Sequence, residues 1–330
     1  MDSFTQIALG ATVAHVTLPK SLGKHRLWIG ALWGTLPDLD VYIAPMLFPN
    51  NPLAEVQFHR GVSHSILFFT IISAISSFAL RLFFRKYLVT YLQWFLSIFF
   101  IFFTHSLLDV FTTWGTQLLW PFPQKFSLHS IFVIDPLYTL PLVFGLVFYY
   151  SKNRIKWVHF GLLLSSLYLL LGLVIQQYVL YKIKNHLSTQ HITAQHITVK
   201  PTAFNCILWN VIVETPDSFL MNQYSLKDAY VEQMKKYEKN EHLFQELPVT
   251  LQNQFTDITQ GQYIMQKNEN IYILNDLRFG LLKDIETEQQ FAFSYQIIYQ
   301  DKSWKVQEVK KDTGDGKAML LKMIKRMKGL

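Results

Sequence analysis

At 330 residues the chain is long enough for about two domains, and half of it is hydrophobic and 15% aromatic, a skew toward membrane proteins. Its net charge of +7 is unevenly placed: residues 1–184 carry 13 Lys+Arg against six Asp+Glu, and residues 185–330 carry 17 of each. The balanced second half argues against a nucleic-acid partner, which calls for a basic face on a soluble domain, and the single cysteine, Cys206, excludes an internal disulfide framework and a cysteine-rich zinc site.

The opening stretch "MDSFTQIALGATVAHVTLPK" has an acid at position 2 and no basic n-region, so it is expected to be retained as a helix rather than cleaved. Six apolar segments follow one another, at about 4–18, 27–48, 62–84, 88–108, 131–150 and 157–181. The third, fourth and sixth reach the roughly 20 residues that a bilayer core requires. The first is short and rich in Gly, Ala and Thr, which suits a re-entrant segment or one packed inside a bundle. The second is interrupted by "GTLPDLD". Broken helices are tolerated at membrane depth only where protein or a water-filled cavity covers the exposed backbone. Basic residues cluster in alternate loops: Lys20, Lys24 and Arg26, then Arg81, Arg85 and Lys86, then Lys152, Arg154 and Lys156. The positive-inside rule makes these loops cytoplasmic and places the other polar loops and the C-terminal domain on the exoplasmic side.

From about residue 185 the texture changes. "HITVK", "CILWNVIVE", "QYIMQ", "IYILN", "FAFSYQIIYQ" and "SWKVQEVK" read as strands. "LKDAYVEQMKKYEKNEHLFQEL" reads as a helix with a charged outer face. The expected fold is a multi-pass α-helical membrane domain over 1–184, followed by a small α+β soluble domain over 185–330 with a mainly antiparallel sheet. The final "KAMLLKMIKRMKGL" is basic and amphipathic. It suits either an anionic membrane surface or a packed terminal helix.

Six acids precede residue 185, and four of them, Asp38, Asp40, Asp109 and Asp135, lie in or beside apolar segments. Ionisable groups at membrane depth are costly and face a cavity or a partner. "THSLLDVFTTWG" sets His105 and Asp109 at i, i+4, on one helix face. "HRGVSHS" brackets Arg60 with His59 and His64 at the start of a helix, and "PDLD" pairs Asp38 with Asp40 at a break. Each cluster alone also fits a structural role: a helix-stabilising pair, a turn or a head-group anchor. Together they point to a shared metal or proton-handling site. Nitrogen and oxygen donors without thiolate suit a divalent ion, zinc first, then manganese or iron. Arg60 fits as an anion clamp or as a salt-bridge partner of an aspartate. Thr112 and Thr113 read as helix hydroxyls bonded to their own backbone. His15 stays ambiguous, since the cavity can reach the first segment, while His25, His159, His191 and His196 read as surface residues.

The motifs "MDSFTQIALG", "GTLPDLD", "HRGVSHS", "HSLLDVFTTWGTQLLWP" and "FVIDPLYTLPL", in that order, resemble the YdjM-like family of membrane-bound metal-dependent hydrolases. The resemblance is close over about residues 1–150 and looser at "PTAFNCILWNVIVE" and "NDLRFG". It implies a multi-pass membrane protein with a divalent-metal site. The matching positions are Asp38, Asp40, His59, Arg60, His64, His105, Asp109, Thr112, Gly115 and Asp135. Two departures stand out: many relatives carry Thr-His where this chain has Thr5-Gln6, and a Thr-Gln subgroup often has an acid near the position of His15.

The reading that unites these features is a hydrolase of an ester or phosphoester, of a lipid or lipid-linked substrate. Its metal ligands are expected at Asp38, Asp40, His59, His64, His105 and Asp109, with Asp38, Arg60 and Asp109 in catalysis and His15, Asp135 and Thr112 as additional candidates. A metal-dependent transporter, or a regulatory membrane protein without catalysis, is the alternative.

Overall fold

The computed structural model describes residues 1–152, 154–285, 288–311 and 316–329, and it divides into two compact units. The first holds Met1–Ala44, Phe58–Val174 and Ala203–Asn205; the second holds Pro45–Gln57, Ile175–Thr202 and the described residues from Cys206 on.

The first unit is helical. Helix α1 (Ser3–Thr17) is capped by Asp2, whose carboxylate accepts from the Thr5 N–H. It is buried along most of its length, so it packs inside the bundle. Helix α2 (His25–Thr35) lies against it so closely that a Cβ on Gly30 would stand 2.2 Å from the Gly10 carbonyl oxygen. Only glycine permits that approach. The break anticipated in "GTLPDLD" is a 3-10 turn over Leu36–Leu39, with Pro37 at its start. Proline cannot donate to the preceding turn, so α2 stops there. The chain resumes as α3 (Asp40–Leu47), and α4 (Pro52–Phe58), which up to Gln57 belongs to the second unit, follows. A second 3-10 turn, Val62–His64, leads into α5 (Ile66–Phe83), capped by the Ser65 hydroxyl. Helix α6 (Tyr91–Val110) starts with a Thr90/Gln93 capping box, which satisfies two of its orphan donors reciprocally. Helices α7 (Pro136–Lys152) and α8 (Lys156–Thr189), the latter assigned to this unit up to Val174, complete the helical part.

Among the described residues, α5, α6 and α8 are long and apolar enough to cross a membrane. Their outward faces are strongly apolar, with Ile71, Ile75 and Phe78 exposed on α5, Leu92 and Phe100 on α6, and Leu163, Leu167 and Leu170 on α8. Exposed apolar area on that scale is what a lipid environment removes from water. The interior is aromatic: Phe69, Trp94 and Phe102 are fully buried, and the Phe69 and Phe102 rings stack at 5.9 Å.

The second unit carries two antiparallel four-stranded sheets, each in simple sequential order. The first comprises β1 (His196–Pro201), β2 (Leu208–Glu214), β3 (Ser218–Ser225) and β4 (Lys235–Glu238). Short α9 (Glu241–Gln245) and α10 (Val249–Thr259) follow. The second sheet comprises β5 (Tyr263–Asn268), β6 (Ile271–Ile285), β7 (Glu288–Gln300) and β8 (Ser303–Glu308), and α11 (Gly316–Met327) comes last. Ile212, Phe219, Met221, Tyr237, Ile264, Leu277 and Phe291 form one of its buried clusters.

One expected helix is corrected here. The run 226–247 is not a helix but a loop, the strand β4 and the short α9. Tyr237 explains the change: its ring is buried in the cluster above, and its backbone pairs with Phe219 of β3. Tertiary pairing outweighs the weak helical preference of the flanking lysines and glutamates.

Candidate metal centre

Three chain breaks build the centre. The Leu36–Leu39 turn presents Asp38, the Val62–His64 turn presents His64, and the last turns of α6 present His105 and Asp109. One donor atom from each of these four residues lies within 4.8 Å of all the others.

The separations have a definite scale. His64 Nε2 is 3.2 Å from His105 Nε2, 3.4 Å from Asp38 Oδ1 and 3.3 Å from Asp109 Oδ2. His105 Nε2 is 3.3 Å from Asp38 Oδ1 and 3.7 Å from Asp109 Oδ2. Four donors held tetrahedrally at about 2.0–2.1 Å from a zinc-like centre stand about 3.3–3.4 Å apart. Five of the six edges thus scatter around the tetrahedral value.

The surrounding hydrogen bonds aim the donors. His105 Nδ1 is 2.7 Å from the Gly34 carbonyl, which is freed from α2 because the helix ends at the proline break. An N–H must fill that contact, so the lone pair of His105 is on Nε2, toward the centre. Ser63 donates its single hydroxyl proton to Asp40 Oδ2 at 2.5 Å, so its oxygen accepts from His64 Nδ1 at 2.9 Å. In the neutral ring the lone pair of His64 is therefore also on Nε2. Two imidazole lone pairs and two carboxylate oxygens converge, an arrangement that a cation between them would stabilise. Asp109 Oδ2 is fully buried and has no hydrogen-bond donor. The donor set fits a divalent ion.

Asp40 and His59, expected among the ligands, stand outside this group of four. Asp40 Oδ1 lies 2.8 Å from His59 Nδ1, and its other oxygen takes Ser63 and the Arg60 backbone N–H, at 3.2 Å. Asp40 thus forms the outer carboxylate of an Asp40–Ser63–His64 chain, the arrangement that orients metal-bound histidines. Arg60 adopts a left-handed backbone (φ 62°) and directs its guanidinium inward. One NH2 group is 3.4 Å from Asp109 Oδ1, and the other donates to Thr112 Oγ1 at 2.8 Å. Of its two expected roles the salt-bridge one is therefore filled. Thr112 in turn donates to the Asp109 carbonyl, the backbone bond foreseen for it. The α-amino group of Met1 also contacts Asp109.

Two further candidates lie elsewhere. His15 follows Gln6 by nine residues on α1, about 14 Å along a helix, with its ring 4.0 Å from that of Tyr149. Asp135 caps α7 through the Leu137 N–H and accepts from the Tyr168 hydroxyl at 2.8 Å. Sequence reasoning passed over Ser63, Gln6 and Gly34. Ser63 lay inside a quoted motif, and Gln6, which reaches Asp109 Oδ1 at 3.3 Å, was visible as a departure from its relatives. The Gly34 contact is made by a backbone carbonyl and leaves no mark in the sequence.

Access is one-sided. Asp38 is 15% exposed, whereas His64, His105 and Asp109 are sealed; His59, on Asp40, is 26% exposed.

Apolar helices closing around a buried two-histidine, two-aspartate group define a membrane protein with a possible metal-binding centre. The chain belongs to the YdjM inner membrane protein family, whose family model matches residues 1–179 and so contains all four donors. It is also similar to the uncharacterized protein YfhP of Bacillus subtilis (strain 168), at 26% identity over 233 residues, covering 68% of each chain. No solved structure matches the chain.

Proposed function

We propose that the chain is a membrane-bound, metal-dependent hydrolase that cleaves an ester or phosphoester of a lipid or lipid-linked substrate. The observation that carries this reading is the near-tetrahedral convergence of Asp38, His64, His105 and Asp109. Nitrogen and oxygen donors favour zinc, with manganese and iron as the other candidates. A bound divalent ion supplies Lewis acidity and a water acidic enough to react near neutral pH.

The residues around it divide the remaining tasks. His64 and His105 hold their Nε2 lone pairs inward because Ser63 and the Gly34 carbonyl fix their Nδ1 protons. Arg60 anchors Asp109, and its buried Nε, which has no hydrogen-bond partner, is the donor left for an anionic substrate oxygen. Asp38 is the carboxylate that incoming water meets first, and its second oxygen is the acceptor for a proton from that water. His59, oriented through Nδ1 by Asp40, keeps Nε2 to pass the proton outward.

The test begins with metal content. The full chain purified in detergent should carry about one equivalent of a transition metal by mass spectrometry. His105→Ala and Asp109→Asn should lose it, while Asp40→Asn should retain the site with affinity about 10–100-fold weaker. Hydrolysis of phosphodiester and lipid-ester substrates should then be lost with the metal and restored on its return. Absence of stoichiometric metal sinks the proposal. Metal retained without turnover, together with metal-dependent ion flux in liposomes, assigns the centre to transport instead.

A further inference from the structure

The helix α11 has an arrangement that neither the fold nor the metal centre uses. Residues 316–329 contain five basic residues, Lys317, Lys322, Lys325, Arg326 and Lys328, and no acid. Its two sides differ. Met319, Met323 and Met327, spaced by four, are half-buried and face the domain. The end of the helix is fastened there: Arg326 grips the Asp228 carboxylate with two bonds of 2.6 Å, and the Met327 carbonyl accepts from Ser225 at 2.8 Å. Leu320, Leu321 and Ile324 face outward, 43%, 57% and 39% exposed. At 100° per residue, Lys317 falls between these three and Lys325 falls on their flank, while Lys328 stands exposed in the turn just past the helix end.

A helix turned only toward water carries polar residues on its outer face. Here that face is an apolar strip set among lysines. Lysine stems lie along apolar surface while their ammonium groups reach outward. This is the pattern of helices that lie in a bilayer interface, with leucines among acyl chains and lysines among acidic headgroups.

We propose that the outer face of α11 and the turn that follows it, formed by Leu320, Leu321 and Ile324 with Lys317, Lys325 and Lys328, docks on an anionic lipid surface. The docking is independent of the chemistry at the metal centre. It joins an apolar contact to an electrostatic one, so it weakens as salt shortens the reach of the charges.

The experiment uses the full chain in nanodiscs of phosphatidylcholine, with or without phosphatidylglycerol. A Cys206→Ser background carries a single L321C substitution labelled with an environment-sensitive fluorophore, and K302C, on the β7–β8 turn, serves as the reference. The L321C label should shift to the blue and be quenched by lipid-borne nitroxide in the anionic discs only. The shift should be lost at high salt and in the triple variant Lys317→Gln, Lys325→Gln, Lys328→Gln, and the reference label should not respond. Hydrogen exchange of α11 in the unmutated chain gives a second reading, with slower exchange expected in anionic discs. A label exposed to water in both lipids overturns the proposal, as does exchange indifferent to lipid charge. Shielding that is equal in neutral discs, or that rises with the number of copies per disc, overturns it too and assigns the face to a protein contact.

Discussion

At the scale of single residues, the centre is set by which polar atoms already have partners. The sequence exposes Asp38, His64, His105 and Asp109 as candidates because acids are scarce among the apolar segments and because His105 and Asp109 share a helix face. It cannot rank Asp40 and His59 against them. That ranking depends on Ser63 standing between Asp40 and His64, a matter of a few ångströms that spacing does not encode. A second buried charge sits in the β-rich unit. Lys200, on β1, is fully buried; its Nζ makes no hydrogen bond and lies 6.0 Å from the centre of the Phe279 ring. Burial drives its ammonium well below the ordinary lysine range; Asp276 opposes the shift and Arg278 reinforces it. Between that lowered value and the ordinary one the unfolded chain binds more protons than the folded chain. Stability therefore rises with pH across the window, by up to about 1.4 kcal/mol per unit. Lys200→Met should raise the melting temperature at neutral pH and flatten its increase toward alkaline pH, as read by thermal melts across that range. A wild-type melting temperature indifferent to pH there contradicts the account.

At the scale of elements, the helix interruptions matter more than the helices. The six apolar segments correspond to the helices α1, α2 with α3, α5, α6, α7 and α8, because length and hydropathy report a lipid-facing or bundle-facing run directly. The break at Pro37 is legible for the same reason: proline lacks the donor. The closeness of α1 to α2 is less so. "Gly, Ala and Thr-rich" suggests an interior segment, but the register that sets Gly10 against Gly30 is a property of the pair. Gly30→Ala would place a Cβ 2.2 Å from the Gly10 oxygen and 2.5 Å from the Ala14 Cβ, so the helices must part. A cost of about 1–3 kcal/mol or more is expected. Because α2 also carries the Gly34 carbonyl that holds His105, the same variant should bind metal more weakly. A melt in detergent and a metal titration measure the two effects together. The corrected stretch at 226–247 has the opposite cause: its residues favour a helix locally, and a distant strand claims them.

At the scale of the molecule, fold class was legible and topology was not. An apolar helical part and a strand-rich part differ in composition, so the order of the two reads directly from the chain. The division of the strands into two separate four-stranded sheets rests on pairings such as β3 with β4, which β-propensity cannot supply. The helical unit is where an ion would act on the whole. A ligand at 100 times its dissociation constant stabilises the folded state by about 2.7 kcal/mol. Chelation should therefore lower the melting temperature of the wild-type protein, and His105→Ala should melt at the chelated value with or without chelator. A wild-type melt unmoved by chelator would mean that no ion contributes to the fold.

The donors stand at positions 38, 64, 105 and 109, on segments that reach the bilayer one after another. During synthesis Asp38 and His64 leave the ribosome before His105 and Asp109, and half a chelate would hold an ion poorly. Loading of an ion at this group would thus be a late step of biogenesis. Whichever compartment bathes these turns would provision the protein, and a shortage there would stall newly made chains while leaving mature ones in service.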